Sequence, residues 1–478
     1  MMVDTAATLR FSLTVLCRCV KLVSEMEKLS EVPAPPTATA PVLRGVAEPP
    51  WPSASVAQAF VLVMLVAATF SFVHRYVPSV LVDPIKKEMG ISDLQFSLLQ
   101  GTAFAVLYGA ASLVCGMLAD RVHRRNLVVL GVAVWTVGTV LFGLSTSFTG
   151  LLASRAMVGL GEAALGPASV SMLCDYFRPE RRGRAIAVSF FGATLGSALA
   201  FAAGGHMLEA AAAGQYAGLP WVGDLAPWRQ VVVLMGVSGF VLVPAILAFP
   251  EPQRRALAVA EHVGNRAQEL WAIRDRIVPV VLAGATVALA DFGFSIWATA
   301  LLTRTHGFSV ADAGTVLGVC MLVAGVGGGW LGGVLCDRAH VRSPLTGRID
   351  TVVRAAIAML LSACLLLLPG GWAAVAAFAC WQVAANAAYV GCASTLQDQV
   401  SGRTRGIAAA LSLCMSIGFG LGLGPTSVAA LNQQIGGGGD ALSSSLLIVL
   451  LAAGTATLTC AWLLRRRLAR RGLSPGDA

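Results

Sequence analysis

Twelve stretches of this chain run on with almost no charge, each close to the about 20 apolar residues that a helix needs to cross the hydrocarbon of a bilayer. No other feature constrains the fold as much. By residue number the first six cover 56–82, 94–118, 127–144, 148–176, 185–208 and 231–249. The second six cover 277–302, 310–335, 352–368, 372–396, 407–431 and 442–464. Only 12% of the 478 residues are charged against 56% hydrophobic, where a soluble protein has about a quarter charged, so a soluble globular enzyme is excluded. The expected class is an all-α integral membrane protein.

The net charge of +9 does not point to nucleic acid, because the cations lie in short clusters between apolar runs and not on one surface. Sorted by loop with the N-terminus inside, 28 of the 34 Lys and Arg fall on one side. Lys86, Lys87, Arg229 and Arg304 fall on the other, and Arg75 and Arg155 lie within spans. Basic residues gather in short cytoplasmic loops, so both termini are expected in the cytoplasm and the protein in the cell (inner) membrane. The eleven cysteines have no metal-ligand or paired spacing, and no disulfide framework is expected.

Residues 1–54 are rich in Pro, Ala and Thr and read as a disordered cytoplasmic tail. Met26 opens an ordinary-looking start, so residues 1–25 are expected to be an extension ahead of it. Residues 55–249 and 277–464 read as two six-helix bundles around a polar central loop at 250–276, with a basic cytoplasmic tail at 465–478. The loop after the second run carries Gly116, Asp120, Arg121, Arg124 and Arg125, and the loop after the eighth repeats the offset with Asp337 and Arg338. One motif at one place in each half indicates a duplicated unit, a common way of building carriers.

Here the chain resembles the major facilitator superfamily, whose signature after the second helix is Gly-x-Leu-Ala-Asp-Arg-x-Gly-Arg-Arg; the residues from Gly116 match it apart from His123. Arg155-x-x-x-Gly159-x-Gly161 in the fourth run is similar to a second pattern of that superfamily. The stretch from Arg75 to Lys86, the run from Arg155 to Phe177 and Arg182-Gly-Arg184-Ala185 resemble its spinster-like branch, which includes lysolipid and sphingolipid transporters. The resemblance implies twelve helices in two pseudo-symmetric halves. It also implies coupling between first-helix charges and a fourth-helix Glu, and a loop motif that joins the halves on one side in one state of the transport cycle. The usual first-helix Asp is His74 here, followed by the matching Arg75.

Charge inside a bilayer costs roughly 2.5–3.5 kcal/mol per residue on insertion scales, so Arg75, Arg155, Glu162 and Asp291 should face a cavity or each other. Arg155 and Glu162 are about two turns apart on one helix face. The expectation is that Glu162 takes and releases a proton while Arg75 and Arg155 hold its carboxylate or an anionic substrate, with His74 and Asp291 as further coupling candidates. Tyr108, Trp297, Gln382, Asn386 and Tyr389 are candidates to line the cavity, Gln382 and Asn386 also to bond between helices. The Gly116–Arg125 and Asp337–Arg338 motifs are expected to gate.

The function this implies is proton-coupled secondary transport of an amphipathic, lysolipid-like organic anion by alternating access. A small organic acid, a drug, or a non-transporting sensor are the alternatives. No phosphate-binding Gly-x-x-x-x-Gly-Lys, zinc-type His-Glu-x-x-His or Gly-x-Ser-x-Gly occurs, so neither ATP, metal, cofactor nor enzymatic chemistry is expected. The expected partners are substrate, protons and membrane lipids, with the chain a monomer that binds no nucleic acid.

Overall fold

The computed structural model describes residues 51–254, 266–401 and 404–471. It contains twelve helices long and apolar enough to cross a membrane. The first six are α1 Ala54–Val80, α2 Asp93–Arg121, α3 Arg124–Leu144, α4 Phe148–Tyr176, α5 Pro179–Ala212 and α6 Pro227–Leu247. The second six are α7 Arg274–His306, α8 Val310–Arg342, α9 Gly347–Leu367, α10 Gly371–Gln399, α11 Arg405–Ile435 and α12 Gly439–Arg470. Every expected run is found, and most helices extend beyond it. Charged flanks continue a helix past the hydrocarbon, so Pro179 starts α5 as a first-turn proline and the basic residues from Arg465 lie on α12 and not in a separate tail. The expected disorder at 1–50 and the start at Met26 lie outside the described residues, as do residues 255–265 of the central loop; part of the remainder forms a short helix, Arg266–Ala272.

An even number of crossings leaves the start of α1 and the end of α12 on one face, here called the near face; the opposite one is the far face. Glycines set how closely the helices approach. On α5, a Cβ at Gly192 or Gly196 would stand 2.3 Å from the Leu65 or Thr69 carbonyl oxygen of α1. Between the halves, a Cβ at Gly314 of α8 would stand 2.3 Å from the Phe201 carbonyl oxygen of α5, and one at Gly101 of α2 equally close to that of Leu421 of α11. Such contact of backbones is what small residues permit between membrane helices.

Besides a 3₁₀ stretch at Gly239–Val241 in α6, four interruptions shape the bundle. Pro78 lies inside α1, and α4 breaks between Glu162 and Leu165, just before Pro167. Both α2 and α11 contain a π-helical stretch, Leu98–Ala103 and Ser416–Leu423, and the two stretches meet where the halves cross. Proline removes an N–H and crowds the carbonyl four residues earlier, which accounts for the first two.

Candidate functional site

Glu162 stands at the midpoint of α4, and the two glycines before it explain how it reaches α1. A Cβ at Gly159 would stand 2.7 Å from the Phe104 carbonyl oxygen of α2, and one at Gly161 2.5 Å from the Trp135 nitrogen of α3. With no side chain there, α4 sinks between α2 and α3. Glu162, 1% exposed, thereby meets Arg75 of α1, 7% exposed, in a buried ion pair whose Nε donates to Oε2 at 3.1 Å. The other carboxylate oxygen, Oε1, is buried with no hydrogen-bond partner.

Arg75 is wrapped in aromatic faces. Its guanidinium carbon lies 4.4 Å from the Phe72 ring centroid, 4.7 Å from that of Phe104 and 5.2 Å from that of Tyr108. A cation over such faces is attracted by the ring quadrupoles, more strongly where water is excluded. Tyr108 is partly exposed and stacks on Phe104, so the cage has one open wall.

Arg155 does not share the Glu162 carboxylate, as its position on the same face suggested. It donates from Nη1 to the His74 carbonyl at 3.1 Å and from Nη2 to the Arg75 carbonyl at 2.7 Å. Pro78 supplies the reason. The His74 carbonyl would ordinarily accept from the N–H four residues on, which proline lacks, and a buried carbonyl needs a donor. Gln100, in the π-helical stretch of α2, adds a second bond to the Arg75 carbonyl at 2.6 Å and one to Ser79 Oγ at 3.1 Å. An uncharged Gln in an apolar run gave no sequence signal. His74 reaches α6 instead of the ion pair: its Nε2 donates to the Met235 carbonyl at 2.9 Å, and the ring is 1% exposed.

In the other half Asp291, near the midpoint of α7, lies among Trp381, Gln382, Tyr76 and Tyr389, and is partly exposed. Gln382 donates to Ser295 Oγ of α7 at 3.1 Å and so bonds between helices, whereas Asn386 donates to the Gln382 carbonyl within α10 at 2.8 Å; Asn386 and Tyr389 are partly exposed. Trp297 is fully buried, with its Nε1 donating to the Pro425 carbonyl at 3.1 Å and its ring against Phe96. It belongs to the contact between the halves and not to a cavity wall.

That contact is a latch on the far face. Arg304 of α7 donates to Asp83 at 2.6 Å and to Asp93 of α2 at 3.0 Å; Asn432 of α11 donates to Asp93 at 3.0 Å, and Lys86 pairs with the same carboxylate. Deeper in, Ser97 Oγ donates to the Pro425 carbonyl at 3.1 Å and Thr102 Oγ1 to that of Gly422 at 2.9 Å. The pairing could not be read from the sequence, because its members are single residues on the short helix Val82–Met89 and at the ends of α2, α7 and α11.

On the near face the motif residues divide. Asp120, Arg121, Asp337 and Arg338 are exposed and unpaired among the described residues, and Gly116 has open space around it. Arg124 is buried and donates to Asp175 at 2.5 Å, to Glu251 at 2.8 Å and to the Pro252 carbonyl at 2.9 Å. Glu251 also accepts the Arg125 backbone N–H at 2.8 Å, while the Arg125 side chain reaches the Phe249 carbonyl at 3.0 Å. Burial alone would raise the Glu251 carboxyl; the Arg124 and Arg125 bonds outweigh it and hold the group below the usual carboxylate range. The C-terminal half repeats the scheme, Arg348 pairing with Asp398 and Asp350 with Arg465, the last pair with its charges reversed. These ion pairs run within halves, whereas the far-face latch runs between them.

Comparison with known proteins gives three findings. The model of the Major Facilitator Superfamily matches residues 61–425. Among curated proteins, an MFS-type efflux pump of Mycolicibacterium smegmatis is 28% identical over 60% of this chain and 64% of its own length. Protein spinster of Drosophila melanogaster is 24% identical over 78% and 62%. The chain thus spans just under two thirds of each of these two relatives. Among solved structures, a bacterial homolog of the human lysosomal transporter Spinster, inward-facing and unoccupied, superposes with a TM-score of 0.75 at 24% identity, covering 89% of this chain and 100% of that one.

Proposed function

The chain belongs to the Major Facilitator Superfamily and is spinster-like within it, and from that premise we propose that it is a proton-coupled carrier of an amphipathic, lysolipid-like organic anion. The observation that carries this reading is the buried Arg75–Glu162 pair in its aromatic cage. With Glu162 ionised, Arg75 has its counter-charge and the site holds no anion. A proton taken at the free Oε1 neutralises Glu162 and leaves the guanidinium to the oxygens of an anionic headgroup, with Phe72, Phe104 and Tyr108 facing the adjoining carbon chain. When the anion leaves, Glu162 gives up its proton and closes on Arg75 again. Competition of the Glu162 carboxylate and the substrate anion for one guanidinium couples the two fluxes.

Alternation of access follows from the latch. Arg304, Asp83, Asp93 and Asn432 close the far face in this state, and they must separate when the near face shuts. In that second state the exposed Asp120, Arg121, Asp337 and Arg338 would meet across the halves. The excess of Lys and Arg in the loops of the near face supports a cytoplasmic near face.

The test is flux into proteoliposomes loaded at one pH and diluted into another. Lysophospholipid movement should follow the pH gradient in the wild type. It should continue without responding to that gradient in Glu162→Gln, and stop in Arg75→Ala. Gradient-driven flux in Glu162→Gln equal to the wild type would sink the coupling. The likeness to the mycobacterial efflux pump favours a second reading, export of a drug or small acid; flux of such compounds with none of lysophospholipid would select it.

A further inference from the structure

On the near face, five helix ends of the C-terminal half surround a cavity of about 460 Å³: the starts of α7 and α11 and the ends of α8, α10 and α12. Arg276, Arg405, His340 and Asp398 line it, with Leu345 and Leu468 on its apolar side. Asp398 is already paired with Arg348. Arg276 and Arg405 have no acidic partner among the described residues. The Nε of Arg276 is buried with no acceptor, and so is Nδ1 of His340. Two guanidinium groups without a carboxylate partner, in a recess whose one carboxylate is already engaged by Arg348, call for an anion. Guanidinium forks suit the spread oxygens of phosphate, and the apolar side suits a carbon chain attached to it.

We propose that this cavity binds a phosphate group, as the free anion or as the headgroup of an anionic lipid. The site is distinct from the Arg75–Glu162 pair, since its lining comes wholly from α7 to α12 and the loops between them. A phosphate held there ties together five helix ends on the face where the halves part.

The full-length protein in neutral detergent, followed by its tryptophan emission on heating, tests this with three probes: inorganic phosphate, dihexanoyl phosphatidic acid and dihexanoyl glycerol. Ligand that binds the folded state raises the melting temperature in a saturable way. A rise is expected with phosphate or phosphatidic acid and not with dihexanoyl glycerol. It should persist in Arg75→Ala, which separates this site from the central one, and vanish in the double variant Arg276→Gln/Arg405→Gln. Should the double variant fail to fold, Arg405→Gln alone, at an exposed position, should weaken the rise at least severalfold in ligand concentration. An equal rise with inorganic phosphate identifies the free anion, and a rise confined to phosphatidic acid identifies the lipid. No saturable rise, a rise that survives loss of Arg276 and Arg405, or one abolished by Arg75→Ala overturns the proposal.

Discussion

Arg155 and Glu162 share a helix face but serve different partners, one the carbonyls that Pro78 disturbs and the other a cation. Lysine at 155 keeps the charge but loses the planar fork that spans two carbonyls. Arg155→Lys is therefore expected to lose a charged hydrogen bond of about 1.5–3 kcal/mol, read as a lower melting temperature; an unchanged one would refute this role. Glu251 makes a pH-dependent contribution, because its carboxyl is held below the usual range by Arg124 and Arg125, with His123 beside it. That stabilisation is fully present above the ordinary carboxylate pKa of about 4.3 and is lost as pH falls through the lower folded-state value. Thermal stability from neutral pH downward should decline more steeply in the wild type than in Glu251→Gln, which begins lower. Parallel curves would show that Glu251 does not carry the effect. Charged residues within apolar runs were legible as candidates because their burial is costly, but their partners were not: the sequence places Arg155 seven residues from Glu162 and says nothing of a carbonyl on α1.

At the scale of the element, two glycines of α4 separate close packing from mere composition. A Cβ at Gly161 collides with α3, whereas Gly166 has nothing within 4 Å. Gly161→Ala should destabilise by about 1–3 kcal/mol through overpacking. Gly166→Ala should be neutral or gain up to about 1 kcal/mol, because alanine gives up less backbone freedom on folding. Paired melting curves check both, and equal effects would contradict the packing account. Helix existence was readable from the apolar runs, since hydrocarbon thickness sets their length, but the turns that continue most helices beyond those runs were not. The π-helical stretches of α2 and α11 were not, because an extra residue per turn leaves composition unchanged. Yet the stretch in α2 carries Gln100 to the Arg75 carbonyl.

For the whole molecule, the proposed cycle makes the far-face latch the element that favours the present state. A ligand or mutation shifts such an equilibrium only by its differential effect on the two states. Removing a half-buried guanidinium that bonds two carboxylates forfeits at least one charged hydrogen bond, about 1.5–3 kcal/mol. Arg304→Ala should thus speed amide exchange at least about tenfold in residues 93–103 and 416–432, with no such change in α9. Protection unaltered there would mean that the apolar crossing, and not the ion pairs, holds the far face shut.

The sequence by itself determined the membrane class, the twelve crossings, their duplication and the small set of charges that must do something inside a bilayer. Each follows from one-dimensional quantities: run length, loop charge, motif offset and the cost of burying charge. The tertiary structure alone decided which charge meets which. Arg75 took Glu162, Arg155 took the α1 carbonyls, His74 took α6, and Asp83, Asp93 and Arg304 latched the halves. The physical reason is that a pairing depends on how closely backbones pass and where a helix bends, and a glycine contact or a proline kink takes effect only once a second helix is beside it.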